Sequence, residues 1–207
     1  MKLVIEVDEY KKLVPGYNPD ASELYHSESA KLADKDFEKH IKSNQFDKII
    51  FMAGGVASGK TEFVSSFYME SENILIYDGT MKNIAGFKIK YKNIKKYQNN
   101  AKISVVYIIP HSIEQAYQVF LNRDRKMSIK TFMETHINSK LSVVEISTLF
   151  TDVVIEVYAN DLTSSSGSYQ KWVAKKENII MALTKEHEYL KNNLQKIISN
   201  IKEIGIR

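Results

Sequence analysis

Residues 48–63, KIIFMAGGVASGKTEF, constrain the fold more than any other stretch of the chain. A short apolar run reads as a buried β-strand. Two glycines then open a turn, and a third precedes Lys60, Thr61 and a run suited to a helix. Gly54, Gly59, Lys60 and Thr61 satisfy the pattern G-x-x-x-x-G-K-[ST], with Gly55, Val56, Ala57 and Ser58 between the outer glycines. These residue types suit one task. Glycines let the backbone bend around an anion, and successive N–H groups with the following helix N-terminus point at its charge. Lys60 is expected to reach the β- and γ-phosphates of a nucleotide, and the Thr61 hydroxyl to bind Mg²⁺. The plainer alternative is a strand–helix turn that binds nothing. An apolar strand before the turn and a helical run after it favour phosphate.

The remaining chain alternates between the two periods. LVIEV is strand-like and breaks at Pro15, Gly16 and Pro19. Asp20 or Ser22 is a candidate cap for a helix through LYHSESAKLADKDFEKHIK. ILIYDG, ISVVYIIP and DVVIEVYAND read as further strands. FKIKYKNIKKYQ, IEQAYQVFLNRDRK (with Ser112 as cap) and IKTFMETHINSKLSVVEISTLF read as helices. Strands alternating with helices predict an α/β fold with a mostly parallel sheet in three layers, here a P-loop NTPase domain over residues 1–162. Thr163 to Ser168, TSSSGS, is the expected linker, and residues 169–207 the expected C-terminal basic helix. Ile180, Leu183, His187, Leu190, Leu194, Ile197, Ile201 and Ile204 form a seam spaced by threes and fours. That seam either packs back on the domain, the favoured reading, or pairs with a second copy or a protein partner.

Composition narrows the function. The chain has 207 residues, 43% hydrophobic, enough for a sizeable core. The absence of cysteine excludes a disulfide framework, a thiolate zinc site and a cysteine nucleophile. The start, MKLVIEVDEY, is not a signal peptide, because Glu6 and Asp8 interrupt its apolar run. No window reads as a membrane span, so a cytoplasmic protein is expected. The net charge of +4 sits beyond residue 168 and leaves the main body neutral. The five histidines show no metal-ligand spacing; only His26 and His136 are candidates to line a substrate cleft.

Asp78 ends an apolar run and is the candidate to orient or deprotonate an acceptor hydroxyl, or to hold Mg²⁺ through water. Thr80 and Lys82 follow as candidate substrate contacts. Arg123 is the candidate to neutralise the transferring phosphoryl group and Arg125 to bind nucleotide. Read on a helix, two residues apart, they face different directions. The Lys/Tyr-rich stretch 88–97 keeps nucleic acid open as a less favoured partner.

FMAGGVASGKTEF, IYDGTMK and VVYIIPHSIEQAYQVFLNRDRK, in that order after the helical lead-in YHSESAKLADKDFEKHI, resemble the zeta toxin family of P-loop kinases. The resemblance spans residues 25–140. It implies phosphorylation of a nucleotide-activated amino sugar by ATP or GTP with Mg²⁺. Lys60 and Thr61 take the loop roles, and Asp78 stands where the family has a substrate-binding Glu. Thr80 matches its Thr, Lys82 stands in place of its Arg, and Arg123 matches a lid arginine. One departure is plain. The family has a further strand directly after the loop's helix, ending in an Asp-rich segment that supplies the base. Here either that βα unit is missing or Asp78 is the base. The expected activity is transfer of a γ-phosphoryl group to a small-molecule hydroxyl. The alternatives are a polynucleotide 5′-hydroxyl kinase, or a nucleotide-dependent binding module with little turnover.

Overall fold

The computed structural model describes residues 1–162 and 168–205. Six strands make one sheet: β1 (Lys2–Glu6), β2 (Lys48–Ala53), β3 (Ile74–Asp78), β4 (Lys102–Pro110), β5 (Val154–Asp161) and β6 (Ser168–Lys171). Their order is β1-β3-β2-β4-β5-β6, parallel throughout except for the last pair. The helices are α1 (His26–Ser43), α2 (Lys60–Phe67), α3 (Ile84–Tyr97), α4 (Ile113–Leu121), α5 (Ile129–Leu149), α6 (Lys176–Asn192) and α7 (Leu194–Gly205). Among the described residues no helix is long and apolar enough to cross a membrane.

The central strands are almost continuously apolar inside, with Ser104 the exception, because both of their faces are covered. Ile49, Phe51, Leu75, Tyr77, Val105 and Tyr107 turn to one face, against Phe37 and Ile41 of α1, Phe87 of α3 and Val143 of α5. Ile50, Met52, Ile76, Val106 and Ile108 turn to the other, where α2 contributes Phe63 and Val64. The fold is therefore α/β with helices on both faces of a mostly parallel sheet.

The strand carrying Asp78 lies directly beside the strand that feeds the glycine-rich turn, with Met52 opposite Asp78. On the outer side of β3 is β1, the first strand of the chain, with Glu6 opposite Asp78. The Val7 N–H continues this ladder by donating to the Asp78 carbonyl at 3.0 Å. The sheet position beyond β3 is thus filled from the N-terminus, and no strand intervenes between α2 and β3.

Three local expectations are corrected. Neither Asp20 nor Ser22 caps α1. A 3₁₀ turn (Pro19–Tyr25) capped by Asn18 precedes that helix, and Tyr25 occupies the N-cap position without a side-chain hydrogen bond. Asp20 instead pairs with Lys126 at 2.8 Å, and the Ser22 hydroxyl donates to the Lys126 carbonyl at 2.9 Å. Second, α4 is capped by Ser112 as expected but stops at Leu121, so Arg123 and Arg125 lie in the turn beyond it. The argument that they face apart on a helix does not apply.

Third, the tail is not one helix. Residues 163–167 of the expected linker lie outside the described residues, and Ser168 begins β6. The helical part breaks at Asn193, whose side chain donates to the Tyr189 carbonyl at 2.9 Å and competes with continued helix. The seam packs back. Leu183 joins the core under α5, while Leu190, Ile197 and Ile201 bury against α4 and α5.

β1 is an edge strand held by its apolar side chains, with Ile5 only 1% exposed. Truncation by Ile5→Ala is expected to cost about 2–4 kcal/mol, read from urea unfolding. A loss below about 1 kcal/mol would mean that β1 is not docked in the core.

Candidate functional site

The turn after β2 is held from behind. The Nε2–H of His136 on α5 donates to the Val56 carbonyl at 3.0 Å. The Asn160 amide of β5 donates to the Ser58 carbonyl at 2.9 Å, and the Tyr169 hydroxyl of β6 to the Gly59 carbonyl at 2.7 Å. Within the loop, the Lys60 ammonium donates to the carbonyls of Gly54 (3.1 Å) and Gly55 (2.8 Å). In a planar trans peptide the C=O and the next N–H point in opposite directions. Anchoring those three carbonyls to the scaffold therefore turns the N–H groups of Ala57, Gly59 and Lys60 the other way, toward the cleft these residues line. The first-turn donors of α2 add to that set, because they have no partner within the helix.

Two glycines are required by this arrangement. A Cβ at Gly55 would sit 2.2 Å from the His136 ring. Gly59 has φ +91°, and its Cβ would lie 2.2 Å from the Asn160 amide. Ala57 also adopts a left-handed backbone, φ 60°, a conformation rare outside glycine.

The turn forms one wall of a cleft of about 610 Å³ at the carboxyl edge of the sheet, where ligands of such sheets bind. Opposite stand Glu6, Asp8 and Glu9 at the end of β1, and Arg123 and Arg125 from the turn after α4. Asp78 is 7% exposed and accepts a hydrogen bond from the Thr61 hydroxyl at 3.0 Å. Burial raises its pKa, opposed by the Lys60 charge and the Thr61 hydrogen bond. Burial conversely depresses the Lys60 ammonium, opposed by Asp78. The Glu6 carboxyl is also raised, first by burial and then by Asp78 beside it. Asp8 behaves differently. Burial works against its charge, but the Lys11 ammonium at 2.8 Å and the Arg125 guanidinium at 3.0 Å hold its pKa down to about 2. The cleft thus carries six carboxylates (Glu6, Asp8, Glu9, Glu62, Asp78, Asp124) against four cations (Lys12, Lys60, Arg123, Arg125).

A second cleft of about 550 Å³ adjoins the first and shares Val7, His26, Gly79 and Thr80 with it. Its floor is apolar, from Phe51, Tyr77, Met81 and Phe87. Its rim is polar, with Lys82 and an Asp34 carboxylate that joins Lys90 (2.6 Å) to the Tyr77 hydroxyl (2.5 Å). The structure therefore brings Lys60, Thr61, Asp78, Thr80, Arg123 and Arg125 to one cleft and puts Lys82 in its neighbour. Of the two candidate histidines, His26 lines both clefts, while His136 is buried behind the loop.

The residues that sequence reading missed are of two kinds. Glu6, Asp8 and Glu9 end a strand-like run just as Asp78 does, so the signal that singled out Asp78 was present for them too. Thr135, whose hydroxyl accepts from the Val56 N–H at 3.0 Å, Asn160 and Tyr169 meet the loop only through the tertiary fold, and nothing in their local sequence marks them.

His136 yields a pH prediction. Burial, then the Lys60 charge, lowers its pKa from the ordinary histidine range to about 3. As pH falls below about 6.5 the unfolded chain takes up a proton there and the folded one does not, so stability is present above 6.5 and is lost toward pH 3. His136→Gln, which keeps an amide donor for Val56, is expected to flatten the slope of unfolding free energy between pH 6 and 4 by about 1.4 kcal/mol per unit. The half-buried His26, lowered to about 4 chiefly by desolvation, supplies a slope that persists in the variant. Urea unfolding across that range measures it, and identical slopes in both proteins would refute a neutral His136.

Comparison with known proteins leaves the residues to speak for themselves: no family model matches the chain, and no curated protein matches it.

Proposed function

We propose that the chain is a P-loop kinase, binding a nucleoside triphosphate (ATP, with GTP the alternative) in the main cleft. It transfers the γ-phosphoryl group to a hydroxyl of a small molecule, in the manner of the zeta toxin kinases it resembles. The observation that carries this reading is the anchored loop: carbonyls tied behind, N–H groups turned into the cleft, and Lys60 beside them. An anion-binding nest next to a helix N-terminus is what polyphosphate recognition needs.

Thr61 and Asp78 fit Mg²⁺, because they put two hard oxygen donors 3.0 Å apart beside the loop. When bound there, Mg²⁺ would neutralise charge building between the β- and γ-phosphates. That favours the metal side over the base role for Asp78. In the transfer, the acceptor oxygen bonds to Pγ, and the bond from Pγ to the β,γ-bridging oxygen breaks. ADP leaves, and the acceptor proton passes to a cleft carboxylate and then to water. Glu6, part-exposed in the cleft with a raised pKa, is the best-suited recipient. Arg123 and Arg125 supply forks for phosphate oxygens. The acceptor enters from the second cleft, where Thr80 and Lys82 meet it above an apolar floor, as a nucleotide sugar or another small molecule.

A nucleic-acid acceptor is less favoured. Within the stretch 88–97, Lys90 is buried against Asp34 and Lys95 is paired with Asp152, so the run is not an open cationic strip. A binding module with little turnover stays as the outcome to be tested against.

Incubation with γ-labelled ATP and Mg²⁺, against sugar nucleotides, nucleosides and 5′-hydroxyl oligonucleotides, tests the reading. The expected result is label in a small molecule, abolished in Lys60→Ala with the fold intact. Asp78→Asn is expected to keep nucleotide affinity and lose about a hundredfold in kcat. Lys82→Ala is expected to raise KM for the acceptor alone. Nucleotide binding with no labelled acceptor would replace the kinase by a binding module, and wild-type activity in Lys60→Ala would remove the loop from the mechanism.

A further inference from the structure

The main cleft is bridged. Asp8, at the end of β1, contacts Arg125, in the turn after α4, through one carboxylate oxygen at 3.0 Å, while its other oxygen contacts Lys11 at 2.8 Å. The two walls are also joined at Lys126, whose N–H donates to the Pro19 carbonyl at 3.1 Å and whose own carbonyl accepts from Ser22, and at Ser128, whose N–H donates to Glu23 at 3.2 Å. The backbone next to Arg125 is thus anchored, and the guanidinium can change partner by side-chain rotation.

Resting on the kinase reading above, we propose that Asp8 is a positioning residue: it holds Arg125 across the cleft in the free protein and yields it to the phosphates when nucleotide enters. Three features support the exchange. The Asp8 side chain is 48% exposed and that of Arg125 32%, so water reaches the pair and can screen it as it opens. A polyphosphate offers the guanidinium more charge and a bidentate fit, which makes stronger hydrogen bonds than a single carboxylate contact. Asp8 is not stranded afterwards, because Lys11, 4% exposed, keeps its hold on the other oxygen. The pair therefore keeps a cation oriented at the cleft while the cleft is empty, at a modest cost in nucleotide affinity.

The experiment is calorimetric titration of the full chain with the Mg²⁺ complex of a β,γ-imido ATP analogue. It compares wild type, Asp8→Asn, Arg125→Gln and the double variant, with Lys60→Ala as control. Asp8→Asn is expected to tighten binding about two- to fivefold by freeing Arg125. The gain is expected to shrink markedly in the Arg125→Gln background, and Asp8→Glu, which keeps the charge, to return the affinity toward wild type. A merely structural Asp8 would give weaker or unchanged binding on substitution, which overturns the proposal. Equal gains in both backgrounds would show only relief of general repulsion, and also overturn it. Asp8→Ser repeats the comparison with a different shape, each variant being checked for wild-type circular dichroism. Failure of the kinase reading has its own signature: binding that does not depend on Lys60. Lys60-dependent binding without the coupled gain refutes the exchange alone.

Discussion

Backbone carbonyls cannot be left buried without partners, and around the glycine-rich turn that requirement sets the whole arrangement. Gly54 to Gly59 reverse the chain at the edge of the sheet, and five carbonyls in the stretch accept from side-chain donors. Lys60 takes the first two, and His136, Asn160 and Tyr169 take Val56, Ser58 and Gly59. Those three donors come from α5, β5 and β6. The turn is thus shaped by elements contributed from the far half of the chain. Close packing follows from the same contacts: the His136 ring fills the space a Cβ at Gly55 would need, and the Asn160 amide the space at Gly59.

The far wall has a different origin. β1 pairs with the outer edge of β3, and the register that sets Glu6 opposite Asp78 crowds carboxylates at one end of the sheet. Burial, and then the like charge of Asp78 beside it, disfavours the ionised form of Glu6 and raises its pKa. Asp8 escapes because two cations reach it. A sheet completed from the N-terminus so brings acidic groups to the outer side of β3, beside Asp78.

Much of this was legible. The strand–turn–helix around Gly54–Thr61 and the apolar runs of β3, β4 and β5 each carry a local signal, and Ser112 caps α4 as its position suggests. What could not be read depends on distance in the chain. Asp20 and Ser22 look like helix caps because both can accept from N–H groups, yet the fold uses them to grip Lys126, 104 residues away from Ser22. Tyr169 reads as part of a helix following a linker. It is placed in β6 by antiparallel pairing with Asn160, and only that pairing brings its hydroxyl to Gly59. Arg125 beyond α4 was visible as a charge but not as a neighbour of Asp8, because where the helix stops decides where it points.

Charge balance ties the two walls together. Carboxylates outnumber cations in the cleft lining, six to four, and Lys11 behind Asp8 narrows the difference. An anion that arrives with a divalent cation changes that sum. Under the proposed function a metal would use the oxygens of Thr61 and Asp78, leaving the phosphates to the loop, Lys60 and the arginines. The acidic wall gives Arg125 a partner on the far side of the cleft. Under the proposed function, the carboxylates of β1 would disfavour a bare polyphosphate and favour a metal-complexed one, by raising the cost of the wrong form.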